Sequence, residues 1–113
     1  MSDKSGEKAR AKGTGSMARR RAEICNALGL HARASRMFVT TAQKFEAKVE
    51  VSCEDRSAPA DSVLSLLELV APKGSTIEIA ATGQDAEAAV DALVKLVEAG
   101  FYESEKSAEG QDK

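Results

Sequence analysis

The chain contains no tryptophan, one histidine, two cysteines and two prolines, and only 4% of its 113 residues are aromatic. Each scarcity removes a class of function. A single imidazole, His31, excludes a metal site built from several histidines. Cys25 and Cys53 have neither metal-ligand spacing nor the numbers of a disulfide framework, so both are expected as small, reduced residues that fill core or sheet. The longest apolar stretch, Val63 to Pro72, is broken by Ser65 and Glu68 and is too short to cross a bilayer. The charged N-terminus has no apolar core of a secretory signal, and the cytoplasm is the expected compartment. What is present is enough apolar residue for one core, 42%, beside 30% charge.

The charge is unevenly placed. Residues 1–21 carry seven basic and two acidic side chains, and the remaining 92 carry nine basic and sixteen acidic ones. A basic tail on an acidic body reads either as a solvated extension or as a contact for nucleic acid or membrane. The body offers few aromatic or basic residues for such a face, so neither partner is expected. The expected organisation is a disordered basic extension over 1–19, one domain over 20–102, and a disordered acidic fringe over 103–113.

Three stretches have helical spacing. Between residues 32 and 44, and just beyond, Ala34, Met37, Phe38, Thr41, Ala42 and Phe45 fall on one face. Over 62–70 the stripe is Val63, Leu66, Leu67 and Val70, with Pro72 opposing continuation. Over 85–99 it is Ala86, Ala89, Val90, Leu93, Val94 and Val97, with Asp85 at the N-cap and Gly100 just past the end. Period-two alternation marks strands at 22–25, 48–53 and 77–81, and a weaker one at 57–60 that Pro59 confines to an edge. The order β-α-β-β-α-β-α predicts an α+β open-faced sandwich, a mostly antiparallel sheet with its helices on one face.

The run Asn26-Ala27-Leu28-Gly29-Leu30-His31-Ala32-Arg33 joins the first strand to the first helix. Gly29 permits a tight turn and places His31 at the N-cap. The first-turn N–H groups around Ala32 and Arg33 lack intrahelical acceptors and point toward whatever sits on the ring. Free donors and the helix dipole favour an anion there and disfavour a positive ring. Arg33 adds a guanidinium that can bond phosphoryl oxygens in a bidentate way. Together these are the parts needed to hold a phosphoryl group on an imidazole nitrogen. The same residues also read as a simple cap and solvated helix charges. No acidic cluster for a metal lies nearby in the sequence, so no cofactor is expected and any metal would come from partners.

Gly29-Leu30-His31-Ala32-Arg33 resembles the active-site signature of the HPr family, the histidine-containing phosphocarriers of the phosphoenolpyruvate-dependent phosphotransferase system. The resemblance runs over about residues 20–102 and includes the 61–67 segment, Lys73-Gly74-Ser75, the run from Ala81 to Ala86, and Ala99-Gly100-Phe101. It implies a four-stranded antiparallel sheet with three helices on one face. It implies that His31 takes a phosphoryl group on Nδ1 from phospho-enzyme I and passes it to a IIA protein, with Arg33 contacting the phosphate. Such a chain is a stoichiometric carrier, expected as a monomer with small, transient interfaces. Ser62 falls where many members are phosphorylated by HPr kinase/phosphorylase, and it also reads as a plain N-cap. Ala34 stands where the family usually has proline. The 62–67 and 98–101 runs lean toward the nitrogen-related, regulatory branch.

Met37, Leu64 and Leu67 are candidates for an apolar docking patch, with Leu67 also expected in the core. Two other readings remain open. One is a regulatory module controlled through Ser62 without transfer at His31, and the other is a ferredoxin-like or ACT-like ligand-binding domain.

Overall fold

The computed structural model describes residues 16–102. The chain runs β1 (Met17–Glu23), α1 (Ala32–Ala42), β2 (Lys48–Cys53), β3 (Arg56–Pro59), α2 (Val63–Leu67), β4 (Thr76–Thr82) and α3 (Ala86–Glu98), closing in a short 3-10 turn over Gly100–Tyr102. The four strands form one sheet in the order β1-β4-β2-β3, and every pairing is antiparallel. Ala22, Val49, Val51, Cys53, Ala58, Ile77, Ile79 and Ala81 turn to one face and are buried there with Phe38, Leu66, Leu93, Val97 and Phe101. The other face carries residues such as Arg19, Lys48 and Glu50 in solvent. This is the open-faced sandwich expected from the alternation, and the weak fourth strand is indeed an edge that ends at Pro59.

Several boundaries and faces differ from the sequence reading. β1 runs over Met17–Glu23, not 22–25, and residues 17–19, expected in the disordered extension, belong to the sheet, with Met17 opposite Thr82 and Arg19 opposite Ala80. Its three arginines hide the strand pattern. Arg20 nonetheless faces the helices, where it reaches Asp91 of α3 at 2.9 Å. The expectations for residues 1–15 and 103–113 lie outside the described residues. In α1 the buried side chains are Ala34, Ser35, Phe38, Val39 and Ala42, so the face is rotated away from Thr41 toward Val39.

α2 is the largest departure. It ends at Leu67, because the next turn tightens through Leu69 N–H to Leu66 O (3.1 Å) and Val70 N–H to Leu67 O (3.3 Å). That tightening carries Leu69 into the core, leaves Leu67 half-buried and turns Val70 out. In α3, Leu96 joins the buried stripe and Val94 is only partly covered. Cys53 is buried as expected. Cys25 is exposed instead, its thiol set against the last carbonyls of α3 (Sγ to Val97 O, 3.4 Å).

Asp85 is the N-cap of α3, its carbonyl accepting from Ala89 N–H at 2.8 Å, but its side chain makes no capping bond. Its Oδ2 accepts from Glu46 N–H at 2.8 Å, while its own N–H donates to Glu46 O at 3.0 Å, so it ties the α1–β2 loop to the start of α3. Asp85→Ala is expected to lower stability by about 1 kcal/mol in chemical denaturation with helix content unchanged. Phe38→Ala, which empties a site of zero exposure, is expected to cost about 3–5 kcal/mol in the same measurement.

Candidate functional site

The site is assembled by the eight residues between β1 and α1. Ile24 extends the strand by two bonds, its N–H to Ser75 O (2.8 Å) and its carbonyl from Gly74 N–H (2.7 Å). The chain then reverses over Asn26–Gly29. Gly29 N–H donates to Asn26 O at 3.2 Å, and the buried Asn26 returns its Nδ2 to Gly29 O at 2.8 Å. Gly29 has φ +66°, and a Cβ on it would lie 2.5 Å from Ala71 O and 2.9 Å from Pro72 Cα. Only glycine permits this approach. It lets Leu30 N–H donate to Ala71 O at 3.0 Å and brings His31 N–H to Gly29 O at 2.9 Å.

His31 is half-buried, extended (φ −84°, ψ −175°), and the N-cap of α1. Its carbonyl accepts from Ser35 N–H at 2.8 Å, and the Ser35 hydroxyl donates to Leu30 O at 3.3 Å inside the core. The ring turns back over the helix mouth, where Nδ1 accepts the Arg33 N–H at 3.3 Å. An accepting Nδ1 holds a lone pair, so the proton of the neutral ring sits on Nε2. The histidine therefore does with a ring nitrogen what serine or aspartate does with an oxygen in an ordinary cap.

Arg33, the second residue of α1, is exposed in the same turn. Ala34 is wholly buried, so the residue found where proline is usual packs as a small core side chain and contributes a third first-turn N–H. His31 and Arg33 are thus joined in a single turn, as the motif suggests.

Ser62 belongs to a different element. It is the N-cap of α2, its Oγ accepting Ser65 N–H at 3.1 Å, which bears out the capping reading. Of the docking candidates, Leu64 is exposed, whereas Met37 packs partly against the core and Leu67 is half-buried. Among the described residues no group of three or more His, Cys, Asp or Glu is placed to hold a metal ion.

The roles of Asn26 and Ala71 escape a reading centred on His31. Asn26 carried a local signal, since Asn-x-x-Gly is the pattern of a type I turn. Ala71 carried none, because its part is a backbone carbonyl 41 positions away from Leu30.

A ring nitrogen aimed into the donors of a helix mouth, on an open-faced sandwich, is an arrangement that can hold an anionic group beside the ring. The family model described as "PTS HPr component phosphorylation site" matches residues 18–99. The phosphocarrier protein NPr of Shewanella violacea is 45% identical over 85 residues, covering 75% of this chain and 93% of that protein. The phosphocarrier protein HPr of Neisseria meningitidis serogroup A is 42% identical over 83 residues, 74% of this chain and 93% of that one. The crystal structure of an HPr from Thermoanaerobacter tengcongensis superposes with a TM-score of 0.74 at 36% identity, over 77% of this chain and 98% of that one. The chain belongs to the HPr family, the phosphocarriers of the phosphotransferase system.

Gly29→Ala tests how the site is built. It places a methyl group against Ala71 O in a left-handed backbone and is expected to cost about 2 kcal/mol in chemical denaturation. The backbone amides of Leu30 and His31 are expected to show the largest chemical-shift changes, since the 30–71 bond must give way.

Proposed function

We propose that Nδ1 of His31 accepts a phosphoryl group from phospho-enzyme I and hands it to a IIA protein. The observation that supports this most is the direction of Nδ1, whose lone pair faces the Arg33 N–H at the mouth of α1. In the transfer the Nδ1 lone pair attacks phosphorus as the donor's bond to phosphorus breaks, and the donor atom keeps that electron pair. The phosphoryl oxygens then take over the helix-mouth donors, with the Arg33 guanidinium balancing their charge. The ring keeps its proton on Nε2 throughout, and no base is needed. The chain is a stoichiometric intermediate with no small-molecule substrate of its own.

Docking with donor and acceptor in turn suits a monomer with a small apolar contact near the site, to which the exposed Leu64 contributes. Among the described residues no helix is long and apolar enough to cross a membrane. The partners proposed are cytoplasmic proteins, and cytoplasm is the compartment proposed for the chain.

A second, regulatory layer would act through Ser62, with HPr kinase/phosphorylase as the modifying enzyme. Phosphorylation there would replace a capping hydroxyl two residues from exposed Leu64 with a dianion, which would penalise an apolar contact.

Incubation with phosphoenolpyruvate, magnesium and enzyme I is expected to give an acid-labile, base-stable label on the wild-type chain and none on His31→Ala. Label that survives His31→Ala and disappears in Ser62→Ala would favour the regulatory module instead, and no label on either would leave the ligand-binding domain. Arg33→Ala is expected to slow labelling about tenfold to a hundredfold, the worth of a charged hydrogen bond, with the melting temperature unchanged. Ser62→Ala is expected to lower stability by about 1 kcal/mol while His31 labels at the wild-type rate.

A further inference from the structure

The connection from α2 to β4 turns at three consecutive apolar residues, Leu69, Val70 and Ala71. Leu69 and Ala71 are buried, whereas Val70 is 65% exposed. The corner is made by a φ of +52° at Val70, a left-handed backbone that crowds a β-branched side chain. Both flanks hold it in place. The Arg56 Nε donates to Leu69 O at 3.0 Å, and Leu30 N–H donates to Ala71 O at 3.0 Å. Glycine or asparagine would accept this backbone with little strain. Valine bears the strain and buries little of its side chain.

The corner adjoins the site. Val70 is one residue from one end of the Leu30–Ala71 hydrogen bond, and His31 is one residue from the other. Among the described residues the large hydrophobics that stand exposed are Met17, Leu28, Leu64, Val70 and Tyr102. Leu28 lies in the loop that carries His31, and Leu64 lies on α2, which packs against α1. Three of the five thus gather on the segments around the accepting nitrogen. Transfer of a phosphoryl group between side chains of two proteins obliges the donor protein to cover that surface, since phosphorus must come within bonding range of Nδ1.

We propose that Val70 is a specificity-determining residue of the transfer, its strained backbone presenting an apolar side chain to the phosphorylated donor protein that docks over His31. The inference rests on the phosphocarrier reading above. The strain is tolerated because the isopropyl group finds its apolar surroundings only in the complex.

The test compares wild type with Val70→Gly, Val70→Asn and Val70→Ile as acceptors from phospho-enzyme I, measuring KM and kcat for the carrier together with the melting temperature. Val70→Asn and Val70→Gly are expected to melt at or above the wild-type temperature, because the left-handed backbone no longer opposes the side chain. Their KM is expected to rise about five- to tenfold, the scale of one lost apolar contact, with kcat within twofold of wild type. Val70→Ile, which keeps the branched side chain, is expected to hold the wild-type KM. An unchanged KM in the glycine and asparagine variants overturns the inference and leaves the phosphocarrier reading intact. A lower melting temperature in both overturns its premise of strain. A wild-type chain that enzyme I does not label overturns the phosphocarrier reading, and this inference with it.

Discussion

The opening turn of every α-helix leaves N–H groups without intrahelical acceptors, and the site depends on how α1 meets that demand. A serine or aspartate cap would use an oxygen with no other task. Here the acceptor is Nδ1 of His31, the atom whose lone pair is the nucleophile in the proposed transfer. In that proposal the lone pair is spent when a phosphoryl group arrives, but phosphoryl oxygens come with it into the same field. The helix mouth would keep an acceptor before and after transfer. One local requirement would thereby serve both the fold and a reversible chemistry, and loading the carrier need not unravel its first turn.

The rest of the molecule secures that alignment. The Asn26–Gly29 reversal fixes where the chain leaves β1, and the contact of Gly29 with the Ala71 carbonyl fixes how closely it passes the 69–72 connection. Ser35 then locks the loop from below, its hydroxyl on Leu30 O and its N–H on His31 O. The sheet and its buried face supply the platform, and Asp85 secures the far end by joining the α1–β2 loop to α3. The Asn26 and Ser35 ties are local, whereas the approach of Gly29 to Ala71 and the bond of Asp85 to Glu46 join segments distant in sequence. The position of a small half-exposed ring is thus a property of the whole fold.

What could be read in advance follows from the range of the forces involved. The strand alternation, the two well-marked helices, and the grouping of His31 with Arg33 are local patterns, and all appear in the structure. The short helix was overextended because Val63, Leu66, Leu67 and Val70 have good helical spacing, while the tightening after Leu67 and the reversal at Val70 are set by Arg56 and Leu30 from outside. Asp85 stands at the N-cap as its position suggests, but its carboxylate serves the neighbouring α1–β2 loop instead of its own helix, a choice that local sequence does not show. The start of β1 was hidden by arginines, one of which faces the helices and is compensated by Asp91. Cys25 was read as filler, but it falls past the end of the strand and against the carbonyl end of α3.

The central claim concerns a single nitrogen, and nitrogen-15 NMR of the His31 ring addresses it directly. The neutral, unphosphorylated chain is predicted to show an unprotonated Nδ1 with the proton on Nε2. After phosphorylation the Arg33 amide proton is predicted to move downfield, as a phosphoryl oxygen replaces the ring nitrogen as its acceptor. A proton found on Nδ1 in the neutral ring, or an Arg33 amide indifferent to phosphorylation, would contradict the account.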